Sequence, residues 1–310
     1  DYHMSHDGVH INREGHAVMA RAIASGLRLR WHENGAAIED VTRHVYKRQE
    51  VLHLAWLSDV GHKRPGIAKG LPLDEAYRAA FALERTIVNS LAEAGVRQPY
   101  RESNNPLAPI DDDPALPRVL LIGDSISIGY TLPVRELLAG KANVHRPPTN
   151  GGSTLKGLAQ LDRWLGDRQW DVIHFNWGLH DLKYLGPRGE NLADPSADGS
   201  RQMVPIDQYG ENLDQLIERL KATGAQLIWC STTPVPKGAR GRVPGDAARY
   251  NQIGNQLANN HEVAINDLYA FAAERLPEIQ QPANVHFTPA GSRELAKQVA
   301  AQILAALRGR

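Results

Sequence analysis

Residues 118–138 read RVLLIGDSISIGYTLPVRELL, and their order decides the fold. Val119-Leu120-Leu121-Ile122 is a continuous apolar run of strand length, without the alternation of a half-solvated strand, so it predicts a strand buried on both faces. It runs straight into Gly123-Asp124-Ser125. Glycine permits a tight turn there, and Ser125 falls at the C-terminal edge of the strand. A helix starting just after Ser125 turns its free N–H groups towards any negative charge that develops at the serine. The same tripeptide also reads as an ordinary helix entry, because Asp and Ser are both common N-caps.

Downstream, Val172–Trp177, Leu227–Cys230 and Val263–Ile265 are further short apolar runs, with amphipathic stretches between them. In the clearest of these, Asp207 can cap a helix whose Leu213, Leu216, Ile217 and Leu220 share a face and which ends at Gly224. Near the end, Thr288-Pro289 offers an N-cap followed by proline at the first helical position, and Leu295, Val299 and Leu304 continue an apolar stripe. Strand-helix alternation predicts a parallel sheet with helices on both faces and ligands beyond the C-terminal strand ends.

Upstream, Gln98–Pro117 (QPYRESNNPLAPIDDDPALP) is broken by prolines and an acidic run, and reads as a linker between residues 1–97 and 118–310. Residues 1–97 read as all-helical, with helices over Arg13–Leu27, Ala36–Leu57 and Leu73–Ala94. Ile38, Val41, Val45, Leu52 and Trp56 follow helical spacing, as do Leu73, Tyr77, Ala80, Ile87 and Leu91. Val9-His10 with Gly15, Ala20 and Ile23 repeats, at a constant offset, as Val285-His286 with Gly291, Ala296 and Val299. Either two amphipathic helices coincide, or the N-terminal segment is the tail of a related upstream domain.

Lys+Arg 35 and Asp+Glu 35 balance to a formal charge of zero, against the basic excess of a nucleic-acid or anionic-membrane binder. A composition 42% hydrophobic and 23% charged argues against global disorder. No apolar run nears the ~20 residues that cross a bilayer. A single cysteine, Cys230, permits neither an intrachain disulfide nor a cysteine zinc cluster and leaves the compartment open. No charged-then-apolar leader heads the chain, and Asp1–His3 ahead of Met4 reads as an expression remnant. His3, His6, His10 and His16 lack a carboxylate partner at metal-site spacing, and no P-loop or G-x-G-x-x-G follows the first strand, so neither metal nor nucleotide cofactor is expected.

Two further blocks fall where they can face Ser125. Asn176-Trp177-Gly178-Leu179-His180-Asp181 follows the Val172 strand, and Val285-His286-Phe287-Thr288-Pro289 precedes the last helix. Together with Gly123–Ser125 and Asn150-Gly151-Gly152-Ser153-Thr154, they make residues 118–310 resemble the SGNH/GDSL hydrolase family, whose signature is four short blocks in this order. LLIGDSISIGYTLPVRELL, HFNWGLHDLKY and NVHFTPAGS resemble a subgroup common in planctomycete-type bacterial genomes. SDVGHKRPGIAKGLPLDEA resembles the C-terminal extension of SGNH domains in such bacteria, which favours the tail reading of residues 1–97.

The resemblance implies a flavodoxin-like three-layer α/β/α domain acting as a cofactor-independent serine esterase. It implies Ser125 as nucleophile and its N–H as one oxyanion donor, the Gly152 N–H as another with Gly151 as the alternative, and His286 as general base. His180 stands where the family has Asn, so an imidazole N–H replaces an amide donor; the alternative is that it binds substrate or packs. A larger departure is Ala283, at the position three before the histidine where the family usually has Asp. Either a Ser-His dyad operates with a backbone carbonyl or Asn284 orienting the ring, or an acid arrives from elsewhere. Asp7 with His10 keeps the Asp-x-x-His spacing but reads as a relic of the upstream domain.

Two long loops leave the strand ends on the active-site side. Leu182–Pro205 is placed to close over substrate. Thr233–Gly245 carries Lys237, Arg240 and Arg242, which meet an anionic or sugar-rich substrate or are simply solvated. Trp177 and Tyr184 either stack a sugar or aromatic acyl group or belong to the core. The expected function is hydrolysis of short acyl esters, acetyl above all, on carbohydrate. The expected partner is therefore a small-molecule or glycan ester, and oligomeric state is open. The rivals are a lysophospholipase or thioesterase and, given Ala283, a non-catalytic carbohydrate-binding protein.

Overall fold

A computed structural model describes residues 35–59, 61, 68–93 and 105–309, in two units, Asp1–Tyr100 and Arg101–Arg310. The helix expected over Arg13–Leu27, the Asp7/His10 pair and the four N-terminal histidines lie outside the described residues. In the first unit, α1 (Gly35–Asp59) packs against α2 (Leu73–Glu93), close to the limits expected from their spacing. Buried Ala55, Ala76 and Ala80 leave room for close approach, and Arg48 pairs with Glu84 at 3.0 Å across the helices. The buried face runs through Ala55 and Leu57, so Trp56, expected on the apolar stripe, turns outward and is 54% exposed.

The second unit is built on a five-stranded parallel sheet of order β2-β1-β3-β6-β7. Its strands are β1 (Arg118–Ile122), β2 (Asn143–His145), β3 (Val172–Phe175), β6 (Gln226–Cys230) and β7 (Ala264–Asn266). β4 (Tyr184–Leu185) and β5 (Arg201–Gln202) form a separate antiparallel pair within the loop after β3. Val119 to Ile122 are buried, as a strand covered on both faces requires.

The parallel strands are joined through α3 (Ser125–Leu137), α4 (Thr154–Leu165), α5 (Ile206–Lys221) and α6 (Asp246–Asn260). Short helices α7 (Leu268–Ala273) and α8 (Leu276–Ile279) lead to the closing α9 (Pro289–Arg308). α3 packs on α9, while α4 packs on α5 and α5 on α6, which makes the two outer layers.

Leu213, Leu216, Ile217 and Leu220 seat α5 on the sheet without exposure, each such burial contributing about 1.5–3 kcal/mol. The entry of this helix differs from expectation. Pro205 is its N-cap, and Asp207 lies inside the first turn, where its charge meets the positive end of the helix dipole rather than capping it. α9 begins as its sequence predicts, with the Thr288 hydroxyl accepting from the Gly291 N–H at 2.9 Å and Pro289 at the first position. The second half of the proline-rich segment is laid on the α/β unit: Asp112 pairs with Arg118 at 3.1 Å, and the Asp113 N–H donates to Asn143 Oδ1 at 2.9 Å. No described helix is long and apolar enough to cross a membrane.

Candidate active site

β2 lies on one side of β1 and β3 on the other, so the chain reverses its direction of winding between β1 and β3. Helices on opposite faces then leave a crevice beyond the C-terminal ends of these two strands. Ser125 sits at that crevice, at the first position of α3. The Asp124 carboxylate caps the helix by accepting from the Ile126 N–H at 2.9 Å, and the N–H of Ser125 has no intrahelical acceptor at that position.

Beneath this turn lies a buried cation that no sequence pattern announced. Arg146 follows β2 and donates to Ser127 Oγ at 3.1 Å, Thr131 Oγ1 at 2.8 Å and the Gly123 carbonyl at 3.2 Å. Burial lowers its pKa to about 10, which still leaves it charged at neutral pH behind the nucleophile turn. The second loop is drawn onto the first by a bond from the Gly151 N–H to the Gly123 carbonyl, 2.9 Å. A side chain at 151 would strike that carbonyl, since a Cβ would lie 2.8 Å from its oxygen. The N–H of Gly151 is therefore committed to the fold. That of Gly152 donates to Asn150 Oδ1 at 2.8 Å, a side-chain acceptor that rotation of Asn150 can withdraw.

On the opposite side of Ser125, His286 brings Nε2 to 2.9 Å from the serine Oγ. Its Nδ1 lies 2.8 Å from Asn284 Oδ1, and its backbone N–H donates to the same oxygen at 3.1 Å. That backbone donor settles the amide orientation: the atom facing it accepts, so Nδ1 carries the ring proton and Nε2 offers its lone pair to the Ser125 hydroxyl. The Asn284 Nδ2 donates onward to Gln281 Oε1 at 3.2 Å. No carboxylate of the described residues bonds to the ring. Ala283 occupies the left-handed region at φ 52° in the turn before Asn284, and the orienting group comes from the next residue.

His180 follows β3, and its pKa is held below that of a free imidazole. Burial lowers its pKa, Asp124 opposes that, and Lys183, Arg242 and Lys156 lower it further. Its neighbour Asp181 is fully buried and accepts from the Thr154 N–H at 2.8 Å and hydroxyl at 2.6 Å, tying this loop to the start of α4. Burial raises the Asp181 pKa to about 7.

Trp177, expected as a stacking surface, is 1% exposed. Its ring packs on Phe175 and against Gly157, so the core reading applies. Tyr184 is half-buried on β4 beside Asp246 and Arg249. Arg240 is exposed on a groove of 510 Å³ between residues 190–195 and 238–242, and Arg242 lines the same groove.

The parallel α/β sheet thus carries a serine at the β1 turn with a histidine nitrogen 2.9 Å from its hydroxyl. Residues 121–294 match the model of the GDSL-like lipase/acylhydrolase family, and the chain belongs to that family; it is a hydrolase of ester bonds. Among solved structures, it is similar to a mutant acetyl-xylooligosaccharide esterase from Geobacillus stearothermophilus, with 19% identity, TM-score 0.50, and coverage of 60% of this chain and 94% of that one. It is also similar to the acetyl xylan esterase AlAXEase (16%, TM-score 0.49, 60% and 99% covered) and to a lipase/acylhydrolase from Enterococcus faecalis (19%, 0.49, 60% and 95%). No curated protein matches.

Proposed function

We propose that the chain is a serine esterase that removes short acyl groups, acetyl above all, from carbohydrate through Ser125 and His286. The observation that carries this reading is the 2.9 Å contact from Ser125 Oγ to an Nε2 whose lone pair is aimed by Asn284. Ser125 Oγ attacks the ester carbonyl while His286 Nε2 takes its proton. The tetrahedral oxyanion is met by the Ser125 N–H, by the Gly152 N–H once Asn150 yields it, and by the His180 imidazole. His286 then protonates the leaving alcohol, and water repeats the sequence in reverse to free the acid and Ser125. Asn284 supplies the orientation that the missing acid provides elsewhere, though without its charge.

The groove beside Arg240 and Arg242 also carries Asn191 and Asp194, polar side chains that can meet the hydroxyls of a glycan. Hydrolysis of 4-nitrophenyl esters from acetate to octanoate, compared between wild type, Ser125→Ala and His286→Ala, tests the reading. Acetate is expected to be the best substrate, with both variants near background. Equal rates in all three proteins would remove the catalytic reading and leave glycan binding.

A further inference from the structure

Two cations, Lys183 and Arg242, lie close to His180 without an ion-pair partner among the described residues. The Tyr184 N–H donates to the Gly241 carbonyl at 2.8 Å, which sets Lys183 beside Arg242. Arg242 is held in turn by a bond from its Nε to the Leu179 carbonyl at 3.1 Å, next to His180. Both side chains are partly buried. Burial lowers the pKa of each, and the neighbouring Arg242 lowers that of Lys183 further. No carboxylate of the described residues forms an ion pair with either.

The two acids that act on the pair are spoken for. Asp124 caps α3, and Asp181 is buried on Thr154. At the far end of the groove, Glu190 is bound by Arg188, and Asp194 accepts from Ser196. Packing like charges together out of water costs free energy, which the pull of Asp181 on Lys183 and of Asp124 on Arg242 offsets only in part. An anion placed between the two cations would offset the rest, and with most force in a site that substrate closes to water.

We propose that the ester hydrolysed here carries an oxyanion, a carboxylate or a sulfate, on its alcohol component, bound by Arg242 and Lys183 beside His180. The inference rests on the esterase reading above. The charge falls on the alcohol component because the acyl group of that reading, acetyl, carries none. The substrate class is therefore an O-acetylated acidic saccharide rather than a neutral acetylated glycan.

The test compares kcat/KM on three acetylated sugars that differ in one substituent: a methyl glucuronide, a sulfated methyl glucoside and the neutral methyl glucoside, with 4-nitrophenyl acetate as reference. The wild type is expected to favour one of the anionic sugars over the neutral one by about tenfold or more, the preference shrinking as salt rises from about 20 mM to about 500 mM. Lys183→Gln and Arg242→Gln are each expected to bring the ratio towards one, and Lys183→Arg to restore it. A wild type that hydrolyses 4-nitrophenyl acetate without preferring either anionic sugar overturns the inference. Failure to hydrolyse 4-nitrophenyl acetate as well would instead strike the esterase reading on which it stands.

Discussion

The two sides of the crevice are held in place by different means. On the serine side, Ser125 and His180 sit at the ends of buried strands, and backbone bonds fix the loops around them: Gly151 to Gly123, and Thr154 to the Asp181 carboxylate. On the histidine side, the chain between α8 and α9 is irregular and His286 is exposed, with amide side chains doing the positioning through Asn284 and Gln281. A strand end resists displacement because moving it disturbs the sheet core. A side-chain relay resists it only as far as each rotamer holds. The serine side should therefore tolerate donor replacement, while the histidine side depends on one oxygen atom.

Apart from the proposed nucleophile and base themselves, the largest effect is expected at His180. If His180 is the oxyanion donor proposed above, His180→Ala should lower kcat about 10²–10³-fold, whereas His180→Asn, which supplies an amide N–H from the same position, should recover most of it. Steady-state kinetics on acetate esters at pH 7 measures both. If His180→Ala turns over at the wild-type rate, the serine side contributes no imidazole donor and the comparison fails there.

A smaller loss is expected on the other side. Asn284→Ala frees the His286 ring to rotate and to carry its proton on either nitrogen, and kcat should fall about 10–10²-fold. Asn284→Asp keeps an acceptor for the ring and the backbone N–H and adds the charge that stabilises an imidazolium, so it should equal or exceed wild type. A merely structural role for Asn284 would leave Asp no better than Ala, and that result would transfer the positioning to the backbone turn.

The same division explains what could be read in advance. The β1 and β3 runs, the α5 stripe and the Thr288-Pro289 entry of α9 were legible because strand length, helical spacing and capping are local properties. β2 was not: Asn143-Val144-His145 has one apolar residue, and only its pairing with β1 makes it a strand. Trp177 could be read as core or as ligand surface until the packing of Phe175 and Gly157 decided it. Asn284 was visible as one of several ways to orient His286, since the choice depends on a turn that brings a backbone N–H and a ring nitrogen to one oxygen. Arg146 gave no signal, because the burial of a cation under the nucleophile turn is made by elements distant in the chain. The Asp181 carboxylate stood in plain sight beside His180, yet its desolvation arises from the folded unit.

Asp181 yields the smallest and most selective of the expected effects. Its folded pKa, raised to about 7 by burial, lies above that of an exposed aspartate, so between about pH 4 and pH 7 the folded state holds a proton that the unfolded chain has released. Stability from this group is therefore fully present below that window and is lost as pH rises through about 7. Above it, an ionised carboxylate is buried with Oδ2 unpartnered. Asp181→Asn keeps an oxygen for the Thr154 donors and cannot ionise, so the difference in unfolding free energy between variant and wild type should move in favour of the variant across this window, by a few kcal/mol at most. Urea unfolding at pH 5, 6, 7 and 8 measures that difference, in which the titration of every other group largely cancels. Parallel stability curves would mean that Asp181 is ionised throughout and that its hydrogen bonds from Thr154 outweigh its burial. A diverging pair would place a titrating tether on the serine side alone, because the amide relay that holds His286 contains no group that titrates near neutral pH.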